Sequence, residues 1–161
     1  MKKLFLIGLL GLSVTANAEF VTNANGDRVE LKANGTWSIV KLTDDDFVLN
    51  SQYYDVTLKD GNKQEVKVNV LPNINLKDGQ KLTKARALFG IKMTEISIPY
   101  QLKNPYSYVP KKVYIYQDGS LIKITIEYIA KNSYGADTVG THTGNFTMDL
   151  KGEIHIVHDR I

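Results

Sequence analysis

Five Asn-Gly or Asp-Gly pairs punctuate the chain, at positions 25–26, 34–35, 60–61, 78–79 and 118–119. Such pairs tolerate the positive φ angles that type I′ hairpin turns demand. The runs between them are short and rich in Val, Ile, Thr and Tyr, residues that suit a pleated, half-buried surface. Together they predict an antiparallel β protein.

The clearest hairpin is residues 113–128, VYIYQDGSLIKITIEY. With Asp118-Gly119 as a two-residue loop, Gln117 is expected opposite Ser120, Tyr116 opposite Leu121, Ile115 opposite Ile122 and Tyr114 opposite Lys123. One face then collects Val113, Ile115, Ile122, Ile124, Ile126 and Tyr128 as core; the other carries Tyr114, Tyr116, Leu121, Lys123, Thr125 and Glu127. A second hairpin over 54–70 sets Val56 and Leu58 against Val66, Val68 and Val70. Residues 25–37, NGDRVELKANGTW, join strands 19–22, 28–32 and 36–40 into a three-stranded meander. In it Val29 and Leu31 share a face, and Trp37 is expected to add buried area by docking on the main sheet.

Residues 78–90 hold the one helical pattern, with Leu82, Ala85, Leu88 and Phe89 near one face and Gly90 as its terminator. Residues 43–51 contain Asp44-Asp45-Asp46 and read as an acidic linker. The expected architecture is therefore mostly β: a meander over 19–42, the linker, and an antiparallel β-sandwich-like body over 52–161 with one short helix.

Residues 1–18 are expected to lie outside the fold. Lys2-Lys3, an apolar run over 4–12 and Ala16-Asn17-Ala18 make a secretory signal, with cleavage between Ala18 and Glu19. A membrane-spanning helix needs about 20 apolar residues, more than twice this run, so no membrane insertion is expected once the signal is removed. The chain has no cysteine; lipid attachment at residue 19 is excluded, as are disulfides. Without the leader, 143 of 161 residues remain, enough for a domain that buries roughly 68% of its unfolded surface without staples. Dropping Lys2 and Lys3 leaves 18 basic against 17 acidic side chains, and no basic stripe points to nucleic acid.

No motif of a nucleophile elbow, zinc protease or phosphate-binding loop is present, and no catalytic, cofactor or metal residue is assigned. His155 and His158, three apart on a strand, point to opposite faces, which does not suit a shared metal. Consecutive Asp44, Asp45 and Asp46 splay apart, unlike the alternating carboxylates of a calcium loop. The remaining feature is a tyrosine cluster, Tyr106, Tyr108, Tyr114 and Tyr116, with Lys123 nearby. It could form a ligand or partner surface; the plainer reading is ordinary cross-strand packing.

Two local resemblances follow from these residues. Gly26-x-x-Val29-x-Leu31-x-x-x-Gly35-Thr36-Trp37 resembles the N-terminal signature of small exported bacterial proteins grouped as a domain of unknown function; that implies an envelope location and no particular activity. Residues 124–137, ITIEYIAKNSYGAD, are similar to the F strand and F–G turn of fibronectin type III-like sandwiches, with Ala130, Asn132 and Gly135 at matching positions. The expectation is an exported, non-enzymatic module, periplasmic or secreted, that binds an envelope protein or cell-wall component. The alternative is carbohydrate or peptidoglycan binding through the tyrosines.

Overall fold

The computed structural model describes residues 19–22 and 28–157. The leader, Ala18 of the expected cleavage site, the Asn25-Gly26 turn and His158 lie outside them; Glu19 opens the first strand. The chain divides into two units, one ending at Lys41 and one beginning at Leu42.

The N-terminal unit is the meander β1 (Glu19–Thr22), β2 (Arg28–Leu31) and β3 (Trp37–Val40), antiparallel throughout. Val21, Val29 and Ile39 pair across it, as do Leu31 and Trp37. Val29 is buried, but Trp37 is 64% exposed, so the expectation that it supplies buried area is corrected. Three short strands have too little opposing surface to cover an indole of that size.

The second unit is a single curled sheet, a half-barrel, and the mostly-β class holds. Its strands are β4 (Tyr54–Lys59), β5 (Glu65–Asn75), β6 (Val109–Asp118), β7 (Leu121–Lys131), β8 (Asp137–Met148) and β9 (Ile154–Ile156), neighbours in that order. Among the described residues of the unit no second sheet faces it; the other layer is helix α1 (Lys84–Ser97). All pairings are antiparallel except β5–β6, where Val70 lies beside Val113 and Pro72 beside Ile115 in parallel. Parallel neighbours need a crossover, and α1 provides it.

Both expected hairpins form. Val56 faces Val68 and Leu58 faces Val66. In β6–β7 the core and outer faces are as the alternation predicts, but the register differs: Tyr116 faces Lys123 and Ile115 faces Ile124. The loop is Gly119-Ser120, with Gly119 alone at positive φ (61°), the pattern of a turn with glycine first. Each residue's partner moves by two positions, which preserves the faces because side chains alternate with period two.

Three other tight turns share a different device. Asp60 Oδ1 accepts from Asn62 and Gln64 N–H, Asn132 Oδ1 from Tyr134 and Ala136, and Asp149 Oδ1 from Lys151 and Glu153. In each turn the fourth residue is left-handed: Lys63 (φ 66°), Gly135 (80°) and Gly152 (76°). These are three-residue loops closed by an Asx side chain. In the first of them Gly61 serves closeness rather than turning: a Cβ there would run into the Pro105 carbonyl and the Tyr106 backbone.

The helix lies later than 78–90, and Gly90 sits inside it. Thr83 caps it, accepting from Arg86 N–H at 3.3 Å. Ala87, Gly90, Ile91 and Thr94 are its buried residues, whereas Leu88 and Phe89 are 39% and 52% exposed. A Cβ on Gly90 would lie 2.5 Å from Ile124 Cδ1, so the helix backbone comes close to the sheet at this residue. Residues 43–51 also depart from the linker expectation. Asp44–Asp46 form a 3-10 turn whose Asp46 carboxylate accepts from Thr43 N–H (2.9 Å). Val48 is 4% exposed and donates to the Leu82 carbonyl at 2.8 Å, and Asn50 Oδ1 accepts from Ile74 N–H. The segment is part of the body.

Two substitutions separate the roles of neighbouring loop residues. Lys63→Gly is expected to stabilise by about 0.5–1 kcal/mol, the left-handed penalty of a side chain less the entropy glycine loses. Gly61→Ala is expected to cost about 1–3 kcal/mol through overpacking against backbone. Urea denaturation of both variants checks the pair; a destabilised Lys63→Gly or an undiminished Gly61→Ala would contradict the loop geometry.

Candidate functional site

The four tyrosines do not form one surface. Tyr108 is 1% exposed, with its ring 5.5 Å from that of Tyr128; it belongs to the core, and its place in the expected surface cluster is corrected. Burial pushes its hydroxyl, like that of Tyr54, above the usual tyrosine range. Tyr106 is exposed in the Pro105–Ser107 turn against the Asp60 loop, its carbonyl accepting from Asn62 Nδ2. Tyr114 and Tyr116 stand two apart on the outer sheet face, 36% and 43% exposed. Tyr114 pairs with Thr125, and Tyr116 with the exposed Lys123.

A second, unanticipated arrangement lies on the inner side of β8. Gly140, His142 and Gly144 face Tyr128, Ile126 and Ile124 of β7, so they share the core face of the sheet. A Cβ on Gly140 would meet the Tyr128 ring at 2.7 Å, and one on Gly144 would collide with Thr94 Oγ1. The two glycines let a tyrosine ring and the helix close onto the strand, leaving His142 between them. Its Nε2 lies 2.8 Å from Ser97 Oγ at the end of α1.

Two cavities open along this line. One, of about 310 Å³, is lined by Met93, Ser97, His142, Phe146 and Ile156, among others. The other, of about 280 Å³, is lined by Leu102, Lys103, Tyr128, Ala130 and Gly140, among others. Gly140 and Gly144 are four residues apart, about 13 Å along a strand.

The Ser97–His142 contact invites comparison with a nucleophile and its base. Ser97 Oγ also lies 2.9 Å from the Thr94 carbonyl, and a hydroxyl has one proton for two acceptors. When that proton goes to Thr94, His142 Nε2–H must be the donor, and the serine is not activated. Among the described residues no carboxylate is hydrogen-bonded to His142, so nothing orients or charges the ring as in a triad. Burial instead lowers its pKa below 6.5. The pair is suited to holding the helix end on β8.

Strand β8 is paired on its outer side along only part of its described length. β9 pairs with it only at Phe146, Thr147 and Met148, with Val157 N–H donating to the Asn145 carbonyl just beyond. Among the described residues no strand pairs with 137–144 on that side. Since Asn145 points its backbone outward, ladder alternation makes Val139, Thr141 and Thr143 do the same. From 138 to 148 the strand's only ionisable residue is His142, there is no proline and the register with β7 is unbroken. Exposed edges usually carry a charge, a proline or a bulge against unwanted pairing. Edge strand β4, by contrast, carries Asp55 in an ion pair with Lys67 and ends on Lys59.

Among the described residues no group of three or more His, Asp or Glu is placed to hold a metal ion, and no helix is long and apolar enough to cross a membrane. Sequence reasoning singled out the outer-face tyrosines and missed the β8 line. Its available signal was the small-polar alternation Gly140-x-His142-x-Gly144 in a stretch, 138–148, without Asp, Glu, Lys or Arg.

No protein-family model, curated protein or solved structure matches this chain.

The geometry of His142 gives a pH test. A folded pKa below the unfolded value of 6.5 means that the unfolded state binds more protons as pH falls. The contribution to stability is therefore full above about 6.5 and is lost as pH drops through the folded pKa. An imidazole NMR titration is expected to give a midpoint below 6.5, and the melting temperature of His142→Asn is expected to fall less than that of the parent in this acid window. A midpoint above 6.5 would contradict the burial.

Proposed function

We propose that this protein is an exported, non-catalytic module, periplasmic or secreted, that binds another protein of the cell envelope. The reading is carried by one observation: among the described residues no strand pairs with the outer side of β8 from 137 to 144, and two cavities open on its inner side. Backbone groups on an open edge recognise polypeptide, and apolar cavities with a few polar groups add selectivity. The leader pattern at 1–18 supports the address. The unoriented Ser97–His142 pair supports binding over turnover.

Crosslinking in the native envelope, followed by mass spectrometry, is expected to recover a discrete protein partner. The purified protein is expected to be inert on generic esterase, protease and glycosidase substrates. Turnover that disappears in Ser97→Ala would contradict the proposal.

Tyr114 and Tyr116 support a second reading. Two phenol rings side by side, with Lys123 opposite Tyr116, form a platform on which a sugar ring could stack. Retention on purified cell wall, lost in the double variant Tyr114→Ala/Tyr116→Ala, is the expected outcome on that reading; equal retention would remove it.

A further inference from the structure

We propose that the cavity at the end of the β7–β8 hairpin binds a small carboxylate with an apolar body and a hydrogen-bond acceptor at its far end. The inference does not depend on the protein-binding reading. Three observations carry it.

First, the helix leaves this part of the sheet uncovered. α1 ends where Ser97 meets His142. Past that point Tyr128 and Ala130 of β7, opposite Gly140 and Thr138 of β8, lie across a space of about 280 Å³ from Leu102 and Lys103. Among the described residues, β9 lines the cavity beside Phe146 but not this one.

Second, the walls carry donors that the chain does not use. Tyr128 is only 8% exposed, and its hydroxyl end lies over Gly140. Among the described residues nothing is hydrogen-bonded to that hydroxyl. The unbonded hydroxyls of Tyr54 and Tyr108 are sealed in the core, whereas that of Tyr128 is not. A buried hydroxyl of this kind calls for an acceptor from outside the chain. At the mouth, Lys103 Nζ donates to Ser133 Oγ at 2.9 Å, which leaves further ammonium protons and the serine's own proton to give.

Third, the mouth is positively charged. Lys131 is neutralised by Asp137 at 3.1 Å, while Lys103 pairs with no carboxylate among the described residues. One uncompensated charge suits a monoanion, and a carboxylate is acceptor-only, taking charge-assisted bonds from Lys103 and Ser133. Leu102 and Ala130 suit an apolar linker behind it. Tyr128 lies about 10 Å along β7 from Lys131, a distance that a short alkyl linker with a hydrogen bond at each end covers.

The probe is δ-acetylvalerate, a straight-chain acid with a ketone beside its terminal methyl. It is titrated, up to millimolar concentration, into protein produced from the full 161-residue sequence. Saturable shifts of the Tyr128, Ala130 and Gly140 amide resonances are expected. Heptanoate, which lacks the ketone, is expected to bind about fivefold more weakly. The methyl ester of the keto acid, which lacks the charge, is expected to bind about tenfold more weakly or worse. In Tyr128→Phe, which removes a hydroxyl bonded to nothing in the chain, the two acids are expected to bind equally. Acetyl-glycyl-alanine carries a carboxylate and a carbonyl on a peptide. It is expected to bind more weakly than the keto acid; tighter binding would assign the carboxylate to a polypeptide end rather than a free acid.

No saturable shift at the three amides would overturn the inference, whatever else fills the space. So would an ester that binds as well as the acid, or a preference for the ketone that persists in Tyr128→Phe. Any of these results leaves the protein-binding reading to its own test, the crosslinking of an envelope partner.

Discussion

The inner face of the six-stranded sheet carries its bulk in branched side chains: Val113, Ile115, Ile122, Ile124 and Ile126 are all at 0–1% exposure. A sheet surface so filled leaves little height for whatever lies on it. Helix α1 meets it with Ala87, Gly90, Ile91 and Thr94. The hydroxyl of Thr94, buried there, donates to the Gly90 carbonyl at 2.9 Å, so its burial leaves no donor orphaned. Against these large side chains the helix sets three small residues, Ala87, Gly90 and Thr94, beside the bulky Ile91, and so lies close to the sheet. Most other features follow from where the helix is thereby held. It serves as the crossover that makes β5 and β6 parallel, and its last residue, Ser97, reaches His142.

The same closeness explains the glycines of β8. Gly144 gives way to Thr94 and Gly140 to the Tyr128 ring, so the strand is thin wherever the second layer comes near. Beside these positions the cavities open. The core packing and the candidate binding line are two consequences of one arrangement. Gln117 shows how tightly the opposite end is tied. Fully buried, it donates from Nε2 to the carbonyls of Gln80 and Gly119 at 2.8 and 2.9 Å, joining the loop before α1 to the β6–β7 turn. There Gly79 touches the Gly119 backbone, so two of the Asp-Gly pairs stand against each other.

Local alternation made much of this legible. The faces of β6 and β7, the pairing of β4 with β5 and the three strands of the meander follow from period-two patterning, which needs no knowledge of neighbours. Turn chemistry was legible only in part. Asx-Gly dipeptides drew attention, yet the recurring device is an Asx three residues before a left-handed position, as in Asp149 and Gly152 or Asn132 and Gly135. The helix was misplaced because 84–97 has two stripes: Leu88, Phe89 and Ile96 are larger and more hydrophobic than Ala87, Gly90 and Thr94, which share the buried face with Ile91. Hydrophobicity favours the first stripe; the space above the isoleucines selects the second. That space is a tertiary quantity. The burial of Tyr108 and the exposure of Trp37 depend likewise on which elements lie opposite, and so on long-range placement.

The fit of a small-residue helix face onto the isoleucine-rich sheet can be tested directly by nuclear Overhauser contacts in isotope-labelled protein. Contacts from the Gly90 α-protons to the Ile124 δ-methyl, together with Val70–Val113 contacts between parallel neighbours, are expected. Contacts that instead place Leu88 and Phe89 against Ile124, with Gly90 remote from the sheet, would contradict the packing on which the structure depends.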